Sequence, residues 1–324
     1  MLFEKTLSSL SPLWALTNTV VRPVLSWNSQ KLEKPVISVG NIVAGGTGKT
    51  ELAIKIAQAL IELKKRVVVS QRGYKSLFEI TGGISQDYQL ASQLKFSDEA
   101  LVVLRKAPGV QVAVGKNRTN VLRKHWEELS PDVIILDDGF QHFELKRNLD
   151  ILIHDFNIKF PILRDFPMHF KKVSLQVTLS PVPTFWKHLD WVEAHYELKG
   201  MVNALGQKSP LPKEAFVLCG IGNPERFKAS LEEKGVRVKS FCFLPDHYCY
   251  SNKKLQKILN WQKQGGGFPL LTTLKDYVKI EKILLSQGKH LNTEIYWIEL
   301  DFCFTKNEKL FWDRIHESLA VSRT

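Results

Sequence analysis

The sequence predicts an α/β protein: a parallel sheet with helices on both faces, followed by a smaller C-terminal α/β domain. Three observations carry this expectation. Short β-branched runs, apolar throughout, alternate with helix-like stretches in the first half of the chain, and strands apolar on both faces belong in a sheet covered on both sides. At 324 residues the chain exceeds the usual size of one domain, so two are expected. Between the two α/β stretches, residues 157–212 are rich in aromatics, Pro, His and Lys without clear periodicity. The expected domains are therefore residues 1–160 and 161–324.

Taken in order, residues 7–27 carry apolar side chains at mixed three- and four-residue spacing (Leu7, Leu10, Trp14, Val20, Val21, Val24, Leu25), with Trp27 at the end. This pattern fits an amphipathic surface helix interrupted near Pro12 and Pro23, or a helix packed on its own domain. PVISVGN then predicts a strand, and ELAIKIAQALIELKK after a Gly-rich turn predicts a helix. RVVVSQRGY, VQVAVG and PDVIILDDG are further strands, separated by helical EALVVLRKA and TNVLRKHWEEL. In the second half EAFVLCGIGN, VRVKSFCFL and PLLTT predict strands, with helices at RFKASLEEKG and KKLQKILNWQKQ. No repeats or low-complexity tracts interrupt the pattern.

A net charge of +12 favours polyanionic partners: nucleic acid, an anionic membrane surface or a phosphorylated substrate. Cys219, Cys242, Cys249 and Cys303 form no C-x-x-C pair, which argues against structural zinc and a disulfide framework and for a reducing compartment. No signal-peptide pattern opens the chain, and no stretch approaches the roughly 18 apolar residues of a spanning helix.

The strongest local signal is strand–AGGTGKT–helix: Ala44, Gly45, Gly46, Thr47, Gly48, Lys49 and Thr50. Glycines let backbone N–H groups turn onto phosphates at a helix N-terminus. In that setting Lys49 reaches the β- and γ-phosphates of ATP, and the Thr50 hydroxyl binds Mg²⁺. Val43 stands where the strict motif has Gly. Asp137 and Asp138 close the apolar strand VIILDDG at the same sheet edge, where carboxylates hold Mg²⁺ directly or through water; a pair of turn-forming acids before Gly139 is the alternative. Gln141 and His142 follow into the same crevice, with a packed histidine as the alternative for His142.

These residues in this order resemble the lipid A 4'-kinase (tetraacyldisaccharide 4'-kinase) family. The resemblance rests on Ser38-Val39-Gly40-Asn41, Gly45 to Thr50, Arg72-Gly73-Tyr74 and Asp98-Glu99. It continues through Leu136-Asp137-Asp138-Gly139-Phe140-Gln141-His142, Cys219-Gly220-Ile221-Gly222-Asn223-Pro224 with Arg226-Phe227, and Asp246-His247. The matches span about residues 36–276, and the family tolerates a non-Gly residue at position 43. Departures are Glu51 after the Lys-Thr pair, Tyr248 after His247, and Pro161-Ile162-Leu163-Arg164-Asp165 in place of a Gly-Pro-Leu-Arg-Glu element.

The resemblance implies a P-loop NTPase-type sheet and transfer of the γ-phosphate of ATP to the 4'-hydroxyl of an acylated glucosamine disaccharide 1-phosphate, a step of lipid A biosynthesis. It implies Asp98 paired with His247 of the second domain as the catalytic base, with the domains closing over substrate; from sequence alone Asp98 is an N-cap. Arg72, Tyr74, Arg118, Gln141, His142, Arg164 and Asp165 are substrate-side candidates, although Arg72, Tyr74 and Arg118 suit surface or packing roles equally. Each buried CH₂ holds a lipid in the bilayer by about 0.8 kcal/mol, so the enzyme goes to the substrate. That favours the amphipathic reading of residues 7–27, on the cytoplasmic face of the bacterial inner membrane, helped by positive charge on an anionic leaflet. Two rivals remain: a soluble P-loop ATPase or kinase with another small-molecule acceptor, and a nucleic-acid-binding ATPase, against which the scattered charges and absence of a recognition signature weigh.

Overall fold

The computed structural model describes residues 2–27, 29–44, 46–158, 161–166, 173–245, 248–286 and 294–320. Gly45, Asp246 and His247 lie outside the described residues, as do the side chains of Leu7, Leu10, Trp14, Val24, Leu25 and Ala44.

Two compact units divide the chain, Met1–His195 with Phe302–Thr324 and Tyr196–Asp301. The first contains α1 (Leu2–Trp27), β1 (Val36–Gly40), β2 (Val43–Ala44), α2 (Lys49–Glu62), β3 (Val67–Gln71), α3 (Phe78–Thr81), β4 (Gly83–Ser85), α4 (Tyr88–Gln93) and α5 (Asp98–Lys106). It continues with β5 (Gln111–Val114), α6 (Arg118–Lys124), α7 (Trp126–Leu129), β6 (Val133–Asp137), β7 (Leu149–His154), β8 (Ile162–Leu163), β9 (Leu175–Thr178) and the start of β10 (Trp191–Val202). The second holds the rest of β10, β11 (Lys208–Ser209), β12 (Glu214–Cys219), α8 (Pro224–Glu233), β13 (Arg237–Phe243), α9 (Asn252–Gln264), β14 (Leu270–Thr272), α10 (Leu274–Ser286) and most of β15 (Ile295–Lys306). The chain then returns to the first unit through α11 (Glu308–Ala320).

In the first unit β9, β7, β1, β6, β3 and β5 lie side by side and parallel, with β4 antiparallel at the edge. Strands β1, β3 and β6 are buried at every position, which explains their uninterrupted apolar runs. Val36, Val68, Ile134 and Leu136 face Val121, Leu122 and Leu129 of α6 and α7. Side chains of alternate parity point to the opposite face, and α2 and α5 pack on these same strands. Register places Val39 beside Asp137 and Ser70 beside Leu136, so β1, β6 and β3 end together. In the second unit β12 pairs in parallel with β13 and β14, and β14 with β15, over a core that includes Val217, Phe227, Leu231 and Leu271.

The boundary expected near residue 160 is corrected to the middle of β10, and the second unit does not run to the C-terminus. Residues 157–212 are not structureless: β9 extends the first sheet through its pairing with β7, and Trp191, Val192 and Glu193 of β10 pair with β9. α1 is continuous through Pro12 and Pro23, contrary to the expected interruptions. Each proline forfeits one helical hydrogen bond. The helix nevertheless has external partners: α1 packs on β8 and buries Ser11 and Ala15.

Gly40 and Gly139 permit the close approach of the strand ends. A Cβ on Gly40 would lie 2.5 Å from the Phe140 Cβ and 2.8 Å from its backbone nitrogen. Gly40→Ala is therefore expected to destabilise by about 2 kcal/mol through overpacking, measured by urea unfolding; a loss below about 0.5 kcal/mol would contradict the packing. His154 is buried, stacks on Phe156 and is pushed by burial down to about 3. Its unfolded form binds the proton more readily, so it lowers stability as pH falls from about 6.5 towards 3, by at most about 1.4 kcal/mol per pH unit. His154→Phe is expected to flatten that part of the stability–pH curve.

Candidate active site

The phosphate loop leaves β1 at Gly40, passes through β2 and enters α2 at Lys49. Gly48 caps α2 with φ 81°, a left-handed geometry glycine adopts without penalty. Asn41 donates its side-chain amide to the Thr47 hydroxyl inside the loop, and both residues are buried. Gln141 donates to the Asn41 carbonyl at 2.9 Å, tying the stretch after the acidic pair to the base of the loop. Gly46 is open, with nothing within 4 Å of a Cβ placed there. Val43 is paired with Leu163 and packs with Ile42, Phe140 and Leu152 beneath the loop. Its side chain is a core group, which is why valine stands there.

Asp137 and Asp138 have opposite surroundings. The Thr50 hydroxyl and the Gln71 amide each donate to Asp137 Oδ2 at 2.8 Å. Asp137 Oδ1 is buried with no hydrogen-bond partner among the described residues. Burial raises the Asp137 carboxyl to about 6, opposed by the hydrogen bonds from Gln71 and Thr50. Asp138 sits in the left-handed region at φ 52°, so its side chain leaves the line of the strand. One Arg164 guanidinium nitrogen donates to both its oxygens, at 2.9 and 2.8 Å, and Lys49 Nζ lies 3.7 Å from Oδ1. Burial opposes its charge, but Lys49, Arg164 and Arg118 prevail and hold this carboxyl far below the usual range.

Arg118 is buried and donates to the carbonyls of Asp137 and Asp138 at 2.8 and 3.2 Å. It braces the turn that carries both acids. His142 lies 3.3 Å from the Thr119 hydroxyl and is pushed by burial, then by Arg118 and Arg147, down to about 3. It is a neutral, packed imidazole. Arg72 pairs with Glu79 at 2.9 Å on the surface, and the Tyr74 ring is half exposed under Lys75. Asp165 is fully buried and bonded to Arg22 of α1.

The N-cap role expected for Asp98 belongs to Ser97, whose hydroxyl accepts from the Ala100 amide at 3.3 Å. Asp98 is the first residue of α5, half-buried, with its acidity placed favourably at a helix N-terminus. Gln71, Asn41, Asn18 and Arg22 were not among the sequence candidates. Gln71 could have been suspected from its place at the end of a strand beside the acidic one. Asn18 and Arg22 act on partners 146 and 143 residues away, and no local pattern announces them.

This arrangement can bind a nucleotide triphosphate at a helix N-terminus beside a lysine, a free carboxylate oxygen and a second carboxylate clamped by arginine. The chain matches the tetraacyldisaccharide-1-P 4'-kinase family over residues 4–320. It is 33% identical over 279 residues to the tetraacyldisaccharide 4'-kinase of Geobacter metallireducens, covering 80% of this chain and 82% of that one. With the Haemophilus influenzae enzyme of the same name it shares 27% identity over 310 residues, 91% of this chain and 88% of that one. Its fold matches the crystal structure of LpxK from Aquifex aeolicus in complex with ATP at a TM-score of 0.76 and 26% identity, covering 98% of this chain and all of that one. The chain belongs to the tetraacyldisaccharide-1-P 4'-kinase family.

Proposed function

We infer that the protein transfers the γ-phosphate of ATP to the 4'-hydroxyl of a tetraacyl glucosamine disaccharide 1-phosphate, a step of lipid A biosynthesis. The observation that carries this reading is the joining of Lys49, Thr50, Asp137, Asp138 and Arg164 around one phosphate loop, in a chain that matches the family almost end to end.

Phosphoryl transfer asks mainly for positioning and charge neutralisation. The amides of Gly46, Thr47 and Gly48 and the Lys49 ammonium bind and orient the phosphates. Mg²⁺ fits the acidic pair: Asp137 Oδ1 is a buried carboxylate oxygen without a hydrogen-bond partner among the described residues, and the Thr50 hydroxyl stands next to the same carboxylate. These two residues would hold the ion, with Asp138 contributing through water. When bound, Mg²⁺ supplies neutralisation of the charge on the phosphate oxygens. Asp138 keeps Lys49 and Arg164 directed towards the loop. Asp98 takes the proton from the sugar hydroxyl, a role worth about 10²–10⁴-fold; its support is the family resemblance and its half-buried place at the start of α5. His247 is assigned to the same proton transfer on the resemblance alone.

The membrane surface is proposed as the place of reaction. Leu13, Leu16, Val20 and Trp27 are 65%, 51%, 65% and 89% exposed. Their spacings of three, four and seven put them on one side of α1, an apolar stripe open to the surroundings. No described helix is long and apolar enough to cross a membrane, so α1 would lie in the interface, on the cytoplasmic leaflet of the bacterial inner membrane.

The decisive assay is transfer of ³²P from γ-labelled ATP to detergent-dispersed tetraacyl disaccharide 1-phosphate. Lys49→Ala and Asp98→Ala are expected to lower kcat at least about 10²-fold, with ATP binding weakened only in the former. ATP hydrolysis without labelled lipid would refute the acceptor. Leu13→Ser, Leu16→Ser and Val20→Ser combined are expected to abolish flotation with anionic vesicles; unchanged flotation would remove α1 from the membrane.

A further inference from the structure

The side of α1 opposite its apolar stripe carries polar side chains engaged with the active site. Ser11 and Ala15 are buried, and with Asn18 and Arg22 they follow at spacings of four, three and four, one face of a helix. Asn18 donates its side-chain amide to the Arg164 carbonyl at 2.7 Å. Arg22 bonds the fully buried Asp165 carboxylate. Its guanidinium also lies 4.7 Å and 4.6 Å from the ring centres of Phe140 and Phe143, residues that follow the acidic pair within the same loop.

The segment gripped in this way is short and depends on its neighbours. β8 has two residues, paired with two residues of β2 at the entry to the phosphate loop, and a two-residue ladder has little stability of its own. The amides of Arg164 and Asp165 both donate to the Ile42 carbonyl, at 2.7 and 3.2 Å. From that backbone Arg164 reaches Asp138. Three elements therefore fix where the Arg164 guanidinium stands: the strand before the phosphate loop, the acidic turn, and α1.

From these contacts we propose that Asn18 and Arg22 are positioning residues of the phosphotransfer site, and that α1 holds Arg164 on Asp138 with one face while its other face meets the lipid surface. The proposal rests on the kinase reading above. An ion pair with one buried partner and one partly buried partner is a poor stabilising device compared with apolar packing. What Arg22 and Asn18 provide that leucines would not is a fixed position for a two-residue strand bearing a functional arginine. The helix is only about 10 Å across, so the surface that meets the membrane and the atoms that orient Arg164 belong to one rigid element.

The test uses the full-length protein, detergent-dispersed tetraacyl disaccharide 1-phosphate and γ-labelled ATP, with Asn18→Leu, Arg22→Met, Arg22→Lys, Arg164→Met and the double variant Arg22→Met/Arg164→Met. Displacement of a catalytic group by about 1 Å costs on the order of 10²-fold. Arg22→Met is expected to lose kcat on that scale and Asn18→Leu less, with the KM for ATP and flotation with anionic vesicles unchanged. Arg22→Lys, which keeps the charge opposite Asp165, is expected to recover part of the loss. Adding Arg22→Met to Arg164→Met is expected to cost little more, because the first acts through the second. Full kcat in folded Asn18→Leu and Arg22→Met, or losses that multiply in the double variant, would overturn the positioning role. If Arg22→Met does not fold, Asn18→Leu, which removes one hydrogen bond, decides alone. A wild-type protein that labels no lipid would instead overturn the kinase reading, before any variant is compared.

Discussion

Two adjacent carboxylates at the end of one buried strand must be kept from repelling each other, and most of the active-site architecture answers that constraint. Asp137 continues the line of β6, and one of its oxygens accepts hydrogen bonds from Thr50 and Gln71. Asp138 turns out of the strand through a positive φ and is neutralised by Lys49 and Arg164. Arg118, the buried first residue of α6, holds the two carbonyls rather than the carboxylates. The acids are thereby separated in direction and in environment. One retains an open anionic oxygen, and the other directs cations towards the phosphate loop.

That separation depends on the glycines around it. Gly139 follows Asp138 and packs so closely that a Cβ would stand 2.6 Å from the Leu136 Cβ and 2.8 Å from the Ser38 hydroxyl. Its amide donates to the Val39 carbonyl at 3.0 Å, which joins the end of β1 to the acidic turn. Gly40 gives Phe140 the same clearance from the other side. Side chains at these positions would push the strand ends apart, and the distances between Thr50, Asp137 and Gln71 would lengthen with them. Backbone packing and site chemistry are one construction here.

What the sequence made legible follows from range. The strands of the first unit, the AGGTGKT loop and the acidic pair are announced by consecutive residues, because buried parallel strands are apolar throughout and a phosphate loop is local in the chain. The unit boundary was hidden because β10 and β15 are each divided between the two units, and a long strand carries no mark where it changes neighbours. The cap that local pattern alone would put at Asp98 is made by Ser97, one residue earlier, whose hydroxyl accepts from the Ala100 amide. Val43 violated a motif for a reason visible only in three dimensions, its burial against Phe140 and Leu152. The Arg22–Asp165 bond joins a helix to a segment 143 residues later.

α1 inverts the usual arrangement of a surface helix. In water, an amphipathic helix turns its apolar side to the protein and its polar side out. Here Asn18 and Arg22 point in, to Arg164 and Asp165, while Leu13, Leu16, Val20 and Trp27 point out. In an aqueous setting such a helix is disfavoured twice, by exposed apolar area and by the desolvation of a partly buried ion pair. Both terms change when the outer face meets hydrocarbon. The exposed area is then removed from water, and the inner polar contacts find no competing solvent on the membrane side. The same surroundings that hold the acylated substrate would therefore favour the helix position that sets Arg164 on Asp138.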